Sequence, residues 1–191
     1  MDAAPLAPMR RPEAAPDQSA RPTRPDPPFV VRPALDHELE AAGEAVRAAY
    51  AADGLGHGPY QDVVADARDR ARDAEVAVAA DAGGTILGSV TFALPGSRWA
   101  QLAGAGEAEF RMLGVAPGAR GRGVGSTLVE WCLDRAAHLG CRRVVLCSEQ
   151  SMRTAHRIYA RRGFARRPDL DWSPQPGVDL LGFAIDLTAS S

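Results

Sequence analysis

The chain contains no lysine: all 22 of its basic residues are arginine. Every mechanism that needs an ammonium therefore drops out, including the P-loop lysine, a Schiff-base lysine for pyridoxal phosphate and a lysine general base. Cysteine is scarce, at three residues (Cys132, Cys141, Cys147) with no Cys-x-x-Cys pair, which argues against a disulfide framework and against a cysteine-clustered zinc site. The four histidines (His37, His57, His138, His156) fall in unrelated stretches, so no metal ligand set is expected. Neither sign of charge dominates: the formal net charge is −2, and nucleic acid is not an expected partner. No apolar run approaches the roughly 18 residues of a membrane span. The Arg10-Arg11 pair is followed by no apolar stretch, so export is not expected either, and a reduced cytoplasmic setting is the default.

What remains is enough for one ordinary domain: 191 residues, 46% hydrophobic and 24% charged. Residues 1–28 carry eight of the fifteen prolines and no apolar period. They are expected to form a disordered tail, because such a segment cannot bury enough surface to offset its ordering entropy. The domain is expected over residues 29–188. Phe29–Arg32 reads as a strand stopped by Pro33, and Leu35, Leu39, Ala42, Val46, Ala49 and Tyr50 follow at helical spacing. Gly54–Pro59 breaks that helix, and a polar one with pairs such as Asp66 and Arg70 is expected from about Tyr60 to Asp73. Val76–Ala80 and Ile86–Leu94 read as a hairpin around Asp81–Gly84.

The informative unit comes next. A strand over Glu107–Val115 runs through Pro117–Gly123 into a helix marked by Val124, Leu128, Trp131, Cys132, Ala136 and Leu139, which Gly140 ends. The nearly continuous apolar run Val144–Cys147 then reads as a buried parallel strand, completing a βαβ crossover. A helix over about Met152–Arg162 and strands at Phe164–Arg166 and Asp179–Leu187 close the chain, with a proline-rich loop around Trp172 between them.

Arg120-Gly121-Arg122-Gly123-Val124-Gly125 occupies the first turn of the crossover. Glycine there permits unusual backbone angles and close approach of a ligand, and the helix start supplies unpaired N–H groups suited to a phosphate. A dinucleotide fingerprint fits poorly: its third glycine is replaced by Ser126, and Glu149 lies 28 residues past Gly121 rather than about 20. Missing lysine excludes a P-loop. The pattern left is Arg/Gln-x-x-Gly-x-Gly/Ala, matched by Arg120, Gly123 and Gly125.

Together with the strand Glu109–Val115 and the downstream run Thr154–Phe164, this loop resembles the GNAT superfamily of N-acetyltransferases. In the downstream run Ala155, Tyr159, Gly163 and Phe164 match the second signature of that family. The resemblance covers the chain from Phe29 to Leu187. It implies an α/β domain with a mixed, mostly antiparallel sheet of six to seven strands, a central parallel pair and about four flanking helices. It implies acetyl-CoA as co-substrate, its pyrophosphate on the amides of Gly121, Arg122, Gly123, Val124, Gly125 and Ser126 and its pantetheine arm along Leu113 and Val115. The thioester would enter where the two parallel strands splay. A small-molecule or peptide amine would attack directly, on a monomer or homodimer.

For Tyr159 the resemblance implies a general acid, while spacing alone fits a core aromatic on one helical face with Ala155 and Ile158. Glu109 matches the position of a glutamate base in some members; an ion pair with Arg111 and a solvated edge position are the other readings. Strand alternation puts Glu109 on one face with Arg111, Leu113 and Val115. Met152 stands where the family often has asparagine, which leaves the grip on the pantetheine arm open, with Ser151 a possible substitute. Cys147 reads as core filler and His156 as a solvated histidine. Trp99, Trp172, Tyr50 and Tyr60 lie in or beside loops. In the family the first-helix region and the loop before the last strand line the acceptor pocket, so the resemblance lets these aromatics shape it, with ordinary packing the favoured reading of each. Asp169, Asp171 and Asp179 read as solvated loop acids or as attractors of a cationic amine. Two rivals share the glycine turn: an acyl-CoA-binding sensor without catalysis, and a nucleotide-dependent oxidoreductase.

Overall fold

The computed structural model describes residues 28–56 and 58–187. The tail expected over residues 1–28 lies, apart from Pro28, outside them. The elements are β1 (Phe29–Pro33), α1 (Leu39–Ala52), α2 (Tyr60–Ala65), α3 (Ala67–Ala71), β2 (Glu75–Asp81), β3 (Ile86–Ala93), β4 (Glu107–Val115), α4 (Val124–His138), β5 (Arg143–Glu149), α5 (Arg153–Arg161), β6 (Ala165–Arg166), β7 (Trp172–Gln175) and β8 (Val178–Asp186). They build one eight-stranded sheet in the order β1-β2-β3-β4-β5-β8-β6, with β7 paired to β8. All pairings are antiparallel except β4 with β5. The mixed sheet with its parallel pair is the expected one. The strand beyond the expected six to seven is β7, which the proline-rich segment forms by folding back on β8.

The helices cover both faces of the sheet. Along β2, Ala77 and Ala79 join a core with Leu128, Cys132 and Tyr159 from α4 and α5, whereas Val76 and Val78 pack with Leu39 and Ala42 of α1 and Ala67 of α3. This is the period-2 division of a sheet buried on both sides. Phe92, Phe110, Leu128 and Leu146 are almost fully enclosed, and burial of each such side chain contributes roughly 1.5–3 kcal/mol. Helix α1 lies close against β4, since a Cβ at Gly114 would stand 2.6 Å from Val46 Cα.

The polar helix expected from Tyr60 to Asp73 is two short ones. Asp66 adopts φ −83°, ψ 76° and its carboxylate accepts the Asp69 N–H at 2.8 Å, ending α2 and capping α3. The expected Asp66–Arg70 pair does not form. Arg70 is instead fully buried, and its Nη1 donates to Val63 O at 2.9 Å and Val64 O at 2.7 Å, supplying partners for the open carbonyls at the end of α2.

Two irregularities of β4 shape the site. Its parallel pairing with β5 runs only from Glu107 to Glu109, opposite Arg143 to Val145; beyond Glu109 the strands diverge. Its pairing with β3 slips by one residue, since Ser89 stands opposite Gly114 but Thr91 opposite Arg111, and Met112 takes φ +50°. This is a β-bulge, and it exchanges the two faces of the strand.

Candidate functional site

The bulge corrects the face assignment made from simple alternation. Leu113 and Val115 pack on the core beneath α4 and α5, whereas Met112 joins Val46 and Val64 on the α1 face. Gly114 also touches α1. Glu109 and Arg111 therefore lie opposite Leu113 and Val115, because the extra residue restarts the alternation on the other side.

A cleft of about 1040 Å³ opens where β4 and β5 part. All nine residues expected to meet the cofactor line it: Leu113, Val115, Arg120, Gly121, Arg122, Gly123, Val124, Gly125 and Ser126. Gly121 and Gly123 take φ +77° and +88°, values that side chains rarely tolerate. Gly123 is the N-cap of α4 and offers no capping side chain. The first backbone bond back into it is from Thr127 N–H to Gly123 O, at 3.1 Å. The amides of Val124, Gly125 and Ser126 thus have no intrahelical partner, and the positive end of the helix dipole adds to their pull on an anion. At Gly125 a Cβ would lie 3.2 Å from Ile158 Cδ1 and 3.5 Å from Val115 Cγ2, so glycine keeps this part of the cleft open.

The two loop arginines do different work. Arg120 donates to both carboxylate oxygens of Asp53, at 2.9 and 3.0 Å, and to Ala49 O at 3.1 Å; it ties the loop to the end of α1. Arg122 is exposed. Arg153, Arg161 and Arg162 of the α5 region also line the cleft, a basic rim that the sequence reading did not single out. Its signal was present in the Arg161-Arg162-Gly163 run, but helix spacing alone does not say which neighbour an end arginine reaches. Arg162 donates to Ser126 O at 3.3 Å and pairs with Glu130 at 2.8 Å. Ser151 and Met152 line the cleft as well.

Glu109 is 1% exposed at the last paired position before the strands part, so the solvated-edge reading is wrong. Its Oε2 accepts the N–H groups of Leu102 at 2.7 Å and Ala103 at 3.2 Å. Burial pushes its pKa up, and these amide bonds and the nearby Arg111 charge only partly oppose the rise. Arg111 donates instead to Trp99 O at 3.3 Å and lies 5.9 Å from the Trp99 ring centroid.

Tyr159 is not among the residues that line the cleft, although Ala155 and Ile158 of the same helix are. Its ring packs against Phe110, Phe164 and Phe183 with centroids 5.9, 5.8 and 5.7 Å away. Burial raises its phenol pKa, so the hydroxyl keeps its proton at neutral pH. Burial also raises the Cys147 thiol, which is the behaviour of a core residue rather than a nucleophile. His156 is not solvated: Nε2 is buried without a partner, the ring lies 5.0 Å from that of Phe183, and burial lowers its pKa.

A second hollow, of about 560 Å³, is lined by Gln101, Leu102, Asp169, Leu170, Asp171 and Trp172. It adjoins Glu109 through the Leu102 amide. Its acids are already engaged, Asp169 with Arg167 at 2.6 Å and Asp171 with Arg166 at 2.7 Å. Asp179 accepts from Ser173 Oγ at 2.6 Å. Asp169 and Asp171 are thus charge-paired, whereas Asp179 has only a neutral hydroxyl partner. Among the described residues no group of three or more His, Cys, Asp or Glu is placed to hold a metal, and no helix is long and apolar enough to cross a membrane.

No curated protein matches the sequence. Solved structures do match the fold. A GCN5-related N-acetyltransferase from Kribbella flavida is 26% identical with a TM-score of 0.62, covering 84% of this chain and 98% of its own. An acetyltransferase of the GNAT family from Staphylococcus aureus is 12% identical with a TM-score of 0.67, over 84% and 99%. A phosphinothricin acetyltransferase from Sinorhizobium meliloti, solved in complex with AcCoA, is 16% identical with a TM-score of 0.62, over 86% and 92%. The family model described as acetyltransferase (GNAT) family matches residues 39–164, a span that takes in the split strand pair, the glycine turn and the Tyr159 helix. The chain belongs to the acetyltransferase (GNAT) family.

Proposed function

We propose that this protein is an acetyl-CoA-dependent N-acetyltransferase that moves the acetyl group directly to an amine. The observation that carries this reading is the pairing of one glycine turn with one split in the sheet. Three residues that line the cleft at the start of α4 have amides without intrahelical partners, and the edge of β4 turned toward β5 has no strand partner beyond Glu109. The first feature suits a pyrophosphate. The second offers main-chain donors and acceptors to the amides of a pantetheine arm along Leu113 and Val115. The fit is supported by Gly125, where any side chain would meet Ile158 and Val115.

Acetyl-CoA supplies an activated acetyl thioester; the chain supplies position and proton handling. The amine nitrogen attacks the carbonyl carbon, a C–N bond forms, the C–S bond breaks, and the thiolate leaves. Glu109 accepts the proton that the amine loses, directly or through one water. Its burial raises its basicity toward the working pH, where a base is most effective. Tyr159 keeps its proton and donates it to the departing thiolate. For that step the phenol, 4% exposed and outside the cleft lining, needs access to the cleft.

Calorimetric titration with acetyl-CoA tests the first half of the proposal. The wild type should bind in the micromolar range and Gly123→Glu should weaken binding by at least about 100-fold, because it sets a carboxylate where the pyrophosphate belongs and at φ +88°. Equal affinity would remove the loop assignment. Release of free thiol with a broad amine panel tests the second half; tight acetyl-CoA binding with complete inertness would favour a non-catalytic acyl-CoA sensor.

A further inference from the structure

On the face of the sheet covered by α1, α2 and α3, several buried donors have no acceptor. They are Arg111 Nε, Trp99 Nε1, and both Nε and Nη2 of Arg70. Thr91 Oγ1 is likewise unpaired, and Thr91 stands directly opposite Arg111 across β3 and β4, hence on the same face. Trp99 lies beneath the Arg111 guanidinium and packs on the Val46, Val64 and Met112 cluster. Arg70, with no exposed surface, reaches that cluster from the other side through Val64 O. Two guanidinium groups therefore approach one small apolar cluster, and among the described residues neither has a carboxylate within 4.0 Å.

Unpaired buried donors of this kind require a partner. Guanidinium and indole N–H groups have no acceptor to offer one another, and a water would satisfy hydrogen bonds but add no charge to the one that Glu109 already sets near Arg111. An oxyanion does both. Arg111 is partly exposed and follows Glu109 by two residues on the same face, so the two groups are roughly 7 Å apart along the strand. That spacing suits a molecule with an amine at one end and an anion a few bonds away. The acids that would have drawn a simple cation, Asp169 and Asp171, are held by arginines.

Resting on the transferase reading, we infer that the acceptor is a small amine that also carries a carboxylate, with the amine presented at Glu109 and the carboxylate bound by Arg111 and the indole N–H of Trp99. Arg70 and Thr91 stand behind this site as an unneutralised donor wall. A peptide N-terminus, whose first carboxyl is an amide, lacks the matching charge.

The test is steady-state acetylation with acetyl-CoA, read as thiol release, on α-, β- and γ-amino acids, each paired with its primary amide. At least one acid should exceed its amide in kcat/KM by roughly 100-fold or more, since a site built to pair a charged group rejects the analogue lacking it. Arg111→Met should bring that ratio toward one, chiefly by raising KM for the acid. Trp99→Phe, which keeps a ring but removes the donor, should lower the ratio several-fold and guards against a folding defect at Arg111. Equal rates for acid and amide in every pair, no transfer to any acid, or a ratio unchanged in Arg111→Met would each overturn the inference. Acetyl-CoA titration separates the two failures: binding together with acetylation of amides or peptides leaves the transferase reading standing, and absence of binding removes both.

Discussion

Replacing Glu109 with glutamine removes a charge while conserving shape. Both backbone bonds to Glu109 end on the same oxygen, Oε2. A glutamine that places its carbonyl oxygen there accepts the Leu102 and Ala103 N–H groups and turns its NH2 away from them. Exchanging a charge-assisted bond for a neutral one costs about 1 kcal/mol, hence about 2 kcal/mol for two. Relief from burying a carboxylate, the same penalty that lifts its pKa, offsets part of this. The net change is about 1 kcal/mol, a melting shift of roughly 2–4 °C for a domain of this size. Activity should fall much further, by about 100-fold or more in kcat/KM, the range of a lost general base. The pH behaviour carries the sharper signature. In the wild type kcat/KM should climb with pH through the titration of Glu109, above the usual carboxylate range, and Glu109→Gln should lose that climb. Stability should respond with the opposite sign. A carboxyl whose folded pKa is raised favours the native state below its unfolded pKa and loses that contribution as pH rises through the folded value. The melting difference between the two proteins should therefore move in favour of the variant over that interval. Calorimetric melts and thiol-release kinetics from pH 5 to 9 suffice. A variant within threefold of wild type with the same rising limb would make Glu109 a structural residue.

Tyr159→Phe keeps the ring among Phe110, Phe164 and Phe183; turnover should fall by about 10-fold or more with little change in acetyl-CoA affinity, and unaltered turnover would leave the ring as packing alone. Far from the cleft, the Arg32 guanidinium donates two 2.7 Å bonds to Glu38 and holds its pKa at about 2, against an ordinary 4.5. Undamped, that drop corresponds to roughly 3 kcal/mol. Solvent at Arg32, 35% exposed, reduces it to about 1–2 kcal/mol. This stability is present above the unfolded value and lost as pH falls through the folded one. Urea unfolding should show Glu38→Gln weaker than wild type at pH 7 and nearly equal to it near pH 2; a constant gap would contradict the ion pair.

The parts of the fold legible in the sequence are those with strong local signals. The apolar run at Val144–Cys147 and the glycines between β4 and α4 located the crossover, and with it the cleft. Three features were not legible because tertiary contacts decide them. The Trp172–Gln175 strand exists only because β8 lies beside it. The break at Asp66 depends on one carboxylate capping α3, although the same residue also satisfies a helical i,i+4 pairing pattern. The extra residue at Met112 has no compositional mark, so alternation read through β4 misassigned the faces of Leu113 and Val115. Within the site, the glycine positions were plain from their type. The engagement of Arg120 by Asp53 was not, since those residues are 67 positions apart.

The slip in register at Met112 also decides which chamber each half of β4 serves. Because one inserted residue turns half the strand over, the same nine-residue segment shows Glu109 and Arg111 to one compartment and Leu113 and Val115 to the other. Straightening the bulge with Met112 kept in the strand would send the aliphatic pair toward α1 and bring Gly114 under α4 and α5. The division between the two compartments therefore rests on the backbone at Met112 holding its left-handed turn. A single kink thus lets one short stretch of chain serve two separate chambers.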